Sequence, residues 1–456
     1  MKDEGIIIVL YLLLLFYLGW QARKKNTARK ESFLLDNRRL TLPAMVATLV
    51  TTWYGGILGV GEFAVQKGVV TWFVFGLPYY IFAVIFALFI TPRLHAARYY
   101  SIPDILYRHY GKKSGLLGSL LVFVLTSPAP YVLGTAIILS RVFDWSFWLS
   151  VILGALFSVA YVYQGGFRSV VQTDKLQFVL MFGGFGLLLA ALWHTYGPVT
   201  DLPDKLDPVM MAPTGDLSWQ EIVVWFLIAS WTFVDPSFHQ RVAAAQDSST
   251  ARNGILWSIL FWFVFDMLTL STALYGAVYL PGVVPLMIYP ILAEQVLPAL
   301  LIGLIYTSLL SVTMSTVDSY SFLAAQTFGR DLLAELGGKN TDMEVRYYTQ
   351  WGLIISMILA LTLIMVMPSV VEMWYTLGTL FIPPLLGPVL MAIFPRYTLP
   401  GERVFQLMWI SLSVTVGWFF MGVLFNTPWL GVEPFFPGLI VSFIVWWSLR
   451  LKLKQA

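Results

Sequence analysis

Apolar runs of about 20 residues recur along the whole chain, and each is long enough for one helix to cross a bilayer core. Thirteen fall near 5–21, 41–63, 70–91, 114–140, 147–163, 171–195, 219–240, 254–280, 298–325, 346–367, 373–395, 405–425 and 433–450. Lipid offers the backbone no hydrogen-bond partner, so each run must satisfy its own amides as a helix. The expected fold class is an all-α polytopic membrane protein. Charged residues make up 12% of the chain, whereas soluble domains carry about 25%. No polar stretch is long enough to hide a sizeable soluble domain. The first run follows Met1 to Glu4 without an Ala-x-Ala cleavage pattern, so it is expected as a retained helix and not a signal peptide. There is no cysteine, which excludes disulfides and thiol chemistry.

Charge is distributed asymmetrically. With the N-terminus outside, the loop after the first run lies inside and carries Arg23, Lys24, Lys25, Arg29, Lys30, Arg38 and Arg39. The next inside loop carries Arg93, Arg98, Arg108, Lys112 and Lys113. Only Lys2, Lys67, Arg141 and Lys205 of the 28 Lys and Arg fall outside. The outer loop at 196–218 is acidic, with Asp201, Asp204, Asp207 and Asp216. Inner loops rich in Lys and Arg place the N-terminus outside and the C-terminus in the cytoplasm.

The run at 298–325 is polar on one side. Projected at about 100° per residue, Ser308, Ser311, Ser315, Thr316, Asp318 and Ser319 share an arc of about 160°. Leu310, Met314 and Val317 lie opposite, with Thr313 among them. The polar face must look into protein or water. Its donors are all oxygens, which suit a hard cation. This helix is therefore expected to hold the coupling-ion site of a secondary transporter.

Other runs are irregular. The second reads Thr51-Thr-Trp-Tyr-Gly-Gly-Ile-Leu-Gly-Val-Gly61, which suits either close packing or a discontinuous helix with freed carbonyls. Pro128 and Pro130 should kink or break the fourth run, and Pro236 interrupts the seventh just after Asp235. A short interfacial helix is expected from about Pro103. Asp174, beside Lys175, opens the sixth run, where it either complements a helix dipole or reaches the polar face of the ninth. Asp266 is a further intramembrane carboxylate that needs a partner or a proton. Pro383, Pro384 and Pro388 make the eleventh run irregular, either as a rigid kink or as a hinged gate. The four His do not pair at metal-ligand spacing, and no glycine-rich phosphate loop is present.

Several motifs in order resemble the sodium:solute symporters, the family of sodium-coupled sugar, proline, pantothenate and sialic acid carriers. They are Glu31-Ser-Phe-Leu-Leu-Asp-Asn-Arg-Arg-Leu40, the glycine-rich second run, Gly165-Gly-Phe-Arg-Ser-Val-Val-Gln-Thr-Asp-Lys-Leu-Gln177, His239-Gln-Arg-Val-Ala-Ala-Ala-Gln246 and Met314-Ser-Thr-Val-Asp-Ser319. The resemblance implies a LeuT-type fold of five-plus-five inverted repeats in a single transmembrane domain. An extra helix at 5–21 precedes the repeats at 41–195 and 219–395, and two helices at 405–450 follow. It implies sodium held by the carbonyls of Leu49, Thr52 and Val312 and the hydroxyls of Ser315 and Thr316. A second sodium would use Asp174, Ser315, Asp318 and Ser319. The solute would meet Tyr54, Gly55, Gly56, Trp231, Trp374 and Thr376, with Trp231 at an inner aromatic gate.

The chain departs from the sugar carriers at Gly55 and Gly56, where they carry polar side chains, and from the proline carriers at Thr51, where they carry an acid. A small amino acid, organic acid or related metabolite is the favoured solute. The expected setting is the plasma membrane, as the inner membrane of a bacterium, with the bilayer, sodium and the solute as partners. Neither nucleic acid nor an obligate protein partner is expected. A proton-coupled carrier using Asp174, Asp318 or Asp266 is the principal rival. A membrane-embedded sensor or enzyme is disfavoured, because neither a signalling domain nor a Ser–His or His–His arrangement accompanies the buried Asp and Ser.

Overall fold

The computed structural model describes residues 3–24, 29–338 and 341–455; Lys2 and Lys25, both used in the charge asymmetry, lie outside them. The described chain is helical throughout, with one isolated parallel bridge joining Leu40 to Ala245. Its principal helices are α1 (Asp3–Lys24), α2 (Leu42–Trp53), α3 (Ile57–Lys67), α4 (Val70–Ala97), α5 (Ile102–Leu125), α6 (Ala129–Phe143), α7 (Phe147–Tyr196), α8 (Trp219–Ile228), α9 (Pro236–Ala244), α10 (Ser248–Tyr279), α11 (Ala299–Gln326), α12 (Asp342–Val366), α13 (Val370–Ile393), α14 (Gly401–Phe425) and α15 (Phe435–Gln455).

Ten helices among the described residues are long and apolar enough to cross a membrane, or eleven if α2 and α3 form one bent span. The difference from the thirteen expected runs has two sources. The runs at 147–163 and 171–195 share the single long helix α7, and α15 contributes only the shorter apolar helix Phe435–Leu451. Large apolar side chains stay exposed around the outside, as on Leu13 of α1, Val179 of α7 and Phe443 of α15. A bilayer would cover them.

The helix breaks follow the sequence. Residues 54–56 separate α2 from α3, whose axes differ by 58°. Pro128 stands between α5 and α6, and Asp235 between a 3₁₀ turn (Ala229–Phe233) and α9. Ser101 accepts a bond from the Asp104 amide at 3.1 Å to start α5, close to the expected Pro103. The Pro383, Pro384 and Pro388 segment does not interrupt α13.

Gly166 turns α7. Its φ of +58° lies where only glycine is relaxed, and a Cβ there would sit 2.4 Å from the Phe33 carbonyl oxygen. Asp174 therefore lies two turns inside the second arm of α7 and is fully buried. The helix-dipole reading of Asp174 does not hold.

Helix α11 is central. Every residue from Tyr306 to Gln326 is buried. The greasy arc of Leu310, Met314 and Val317 does not face lipid either, because neighbouring helices surround α11. Of the cations expected outside, the three among the described residues each have a partner. Lys67 bonds Asp216 at 2.8 Å and holds that carboxyl below its ordinary range, Arg141 bonds Glu294 at 2.8 Å, and Lys205 donates to the Tyr279 hydroxyl at 2.7 Å.

Gly166→Ala is expected to lower stability by about 2 kcal/mol or more, from backbone strain and the clash with Phe33. Gly183 lies on the same helix with open space around its Cβ position, so Gly183→Ala is the matched control. Thermal unfolding of the two variants in detergent should separate them. Equal Tm values would refute the account of the corner.

Candidate ion and solute site

The break between α2 and α3 serves close packing and discontinuity together. A Cβ on Gly55 would fall 2.3 Å from Thr316 Cβ, and one on Gly56 would fall 1.9 Å from the Trp374 indole. Neither glycine has a positive φ. What these positions require is space, so that α11 and α13 can approach the broken backbone.

Of the predicted ion ligands, Thr52, Val312 and Thr316 meet beside this break. Thr316 Oγ1 donates to the Thr52 carbonyl at 2.9 Å and lies 3.3 Å from the Val312 carbonyl. Ser315 Oγ donates to Asp174 Oδ1 at 2.7 Å. Leu49 is buried on α2, three residues before Thr52.

Of the residues predicted for a second ion, Asp174, Ser315 and Ser319 share one hydrogen-bonded network through Thr48 and Arg241, while Asp318 has partners of its own. Asp318 accepts from Ser158 and Tyr161, both on the first arm of α7. Asp174, on the second arm, accepts from Ser315 and Thr48. The two arms thus grip one polar face of α11. Ser319 meets Thr52 Oγ1 at 2.9 Å and accepts from Arg241 Nη2 at 2.8 Å.

Sequence reasoning gave Arg241 no role at this site. It is fully buried on α9, and its Nη2 also reaches Thr48 Oγ1 at 3.0 Å and Thr52 Oγ1 at 2.8 Å. Thr48 accepts from Arg241 and donates to Asp174, so one hydroxyl bridges a buried cation and a buried anion. Arg241 Nε and Nη1 have no hydrogen-bond partner among the described residues. The signal available in sequence was Thr48 and Thr52, which stand four residues apart on one face of α2.

A cavity adjoins the break, with about 790 Å³ of space unfilled by protein atoms when its opening to solvent is included. Tyr54, Gly56, Trp231 and Trp374 line it, as predicted. Gly55 and Thr376 are buried but lie outside its lining. Asp235 and Asp266 also line it. Asp266, whose partner the sequence could not name, accepts from the Tyr54 hydroxyl at 2.8 Å and from the Tyr80 hydroxyl. Asp235 caps α9 through the Ser237 amide at 2.7 Å and accepts from Tyr320 at 3.2 Å.

The sodium:solute symporter family model matches residues 33–401. The chain belongs to the sodium:solute symporter family. This symporter-family chain is 25% identical over 430 residues to high-affinity choline transporter 1 of Drosophila melanogaster, covering 85% of this chain and 66% of that protein. It is 28% identical over 278 residues to the sodium/pantothenate symporter of Haemophilus influenzae, covering 58% of this chain and 57% of that protein. It spans just under two thirds of the first relative's length and little more than half of the second's. A solved sodium-coupled sialic acid symporter, in a substrate-bound outward-open state, shares the fold at TM-score 0.82 and 17% identity, covering 100% of this chain and 98% of that one.

The family member's buried charges predict a coupling. Arg241→Met leaves Asp174 uncompensated and should cost on the order of 3 kcal/mol of stability. Asp174→Asn should be destabilising too. The double variant should lose clearly less than the sum of the two, measured as a double-mutant cycle by thermal or denaturant unfolding. Simple additivity would show that Thr48 does not link them.

Proposed function

We propose that the chain is a secondary active transporter that couples sodium entry to uptake of a small organic solute by alternating access. The observation that carries the reading is the bond from Thr316 to the Thr52 carbonyl. It joins the hydroxyl-rich face of α11 to a backbone break whose next residues, Tyr54 and Gly56, line the cavity. An ion held at Thr52, Val312, Ser315 and Thr316, with Leu49, bridges α2 to α11 and fixes the break beside the solute. For this, the Thr316 and Ser315 hydroxyls turn their protons away, and the Thr52 carbonyl exchanges a hydrogen-bond donor for the cation. Each ligand then raises the other's affinity by the same factor. A membrane potential negative inside drives the ion inward by about 2.3 kcal/mol per 100 mV.

The architecture proposed is thirteen spans. The 58° pair α2 and α3 counts as one, α7 counts as two because it turns at Gly166, and α15 completes the set. Five-plus-five repeats at 41–195 and 219–395 lie between the helix at 5–21 and the pair at 405–450, with the N-terminus outside, the C-terminus inside and a bacterial inner membrane around them. A second ion at Asp174, Ser315, Asp318 and Ser319 would compete with Arg241 for Ser319. One sodium per cycle is therefore the stoichiometry we favour. The relatives' names, choline, pantothenate and sialic acid, leave the solute open.

Thermal stability should rise in sodium relative to potassium, by about 2.7 kcal/mol at a hundredfold excess over Kd. Ser315→Ala/Thr316→Ala should abolish that rise. A rise that survives in the double variant would refute the ion site. Stability that ignores the salt but follows pH would favour the proton-coupled rival.

A further inference from the structure

The cavity is an aromatic box containing two carboxylates. Nine of its fifteen lining residues are Phe, Tyr or Trp. Their rings form angled walls and not a stack. Trp53 meets Tyr79 at 4.8 Å and 74°, Tyr131 meets Tyr320 at 5.1 Å and 63°, and Tyr131 meets Trp374 at 6.3 Å and 53°. The hydrogen bond from Trp374 Nε1 to the Tyr131 hydroxyl, at 3.3 Å, ties two of these walls together.

The charge of the box is one-sided. Asp235, at the N-terminal cap of α9, and Asp266, on α10, line it, and no Lys, Arg or His does. Among the described residues neither carboxylate forms an ion pair. Arg241, outside the lining, is within electrostatic reach of Asp235, whereas no cation acts on Asp266. Asp266 accepts two tyrosine hydroxyls and Asp235 accepts one, and a neutral hydroxyl cancels no charge that the carboxylate carries. Carboxylates inside a membrane protein are costly unless something positive compensates them. Aromatic faces attract cations through their quadrupole, and such boxes are the usual receptors for quaternary ammonium groups. The same lining opposes a free organic acid, whose carboxylate would meet two others and no counter-ion.

We propose that the solute this cavity takes is an organic cation, a quaternary or methylated ammonium, held in the aromatic box with Asp235 and Asp266 as counter-charges. The inference rests on the transporter reading above and specifies its substrate class. Trp231 also lines the cavity, and its Nε1 has no partner among the described residues. It supplies a donor for a neutral acceptor, such as a hydroxyl, carried on the cation.

The test uses the purified full chain with choline, its uncharged isostere 3,3-dimethylbutan-1-ol, and lactate, each in sodium and in potassium. Thermal shift gives binding, and proteoliposomes loaded for sodium-driven uptake of labelled choline give transport. Choline is expected to bind at least ten times more tightly than the neutral isostere, with lactate giving no shift. Asp266→Asn and, separately, Trp374→Leu should each weaken choline at least tenfold while keeping the sodium-induced shift. That retained shift shows the variant is folded, and Asp235→Asn provides a third arm if one variant loses it. Equal binding of choline and its isostere would overturn the proposal, as would a preference for lactate or a sodium shift with no cation response. A choline-specific shift in a protein that ignores sodium would support the box and refute sodium coupling, so the two readings fail separately.

Discussion

Breaking a helix in mid-membrane frees backbone groups that lipid cannot satisfy, and here a side chain from a distant helix takes one of them. The Thr52 carbonyl receives the Thr316 hydroxyl at 2.9 Å. The contact needs backbones close together, and Gly55 permits that, since a Cβ there would overlap Thr316. Much of the centre follows from this meeting. Trp374 lies where Gly56 leaves room, Tyr54 in the break reaches Asp266, and both line the cavity. A coupling ion placed at the contact is only a few residues from anything bound in the cavity.

Buried charge is handled in three ways around that contact. Asp318 is satisfied by neutral hydroxyls on one arm of α7. Asp174 is compensated at a distance by Arg241 through Thr48. Asp235 and Asp266 accept hydroxyls but face an aromatic cavity without a cation among its lining residues. What sets the third apart is its setting: Asp318 is enclosed by helices, whereas Asp266 lines a cavity walled by aromatic rings, with no cation among the lining residues. Arg241 lies outside that lining, within electrostatic reach of both Asp174 and Asp235.

Reading the sequence was most successful where lipid is the constraint. Hydroxyls and a carboxylate inside an apolar run cannot face hydrocarbon, so the role of Ser315, Thr316 and Asp318 as an inward polar face was visible at once. The breaks at residues 54–56, Pro128 and Asp235 were legible because Gly and Pro act locally. Partnerships across the fold were not. Asp266 meets Tyr54 and Tyr80 from 212 and 186 positions away, and nothing in either stretch announces the other. Arg241 read as one more inner-loop cation, because α9 ends among polar residues; only packing against α2 and α11 reveals that it is buried. Asp174 was ambiguous until the turn at Gly166 fixed where its helix begins.

The central claim is that an ion between α2 and α11 orders the break in α2. Hydrogen–deuterium exchange of the purified chain, compared in sodium and potassium, tests it at the backbone. The account predicts sodium-specific slowing in peptides that cover residues 49–60 and 309–320, with α14 unchanged. Exchange at the break that does not respond to sodium, or a response confined to other helices, would contradict it.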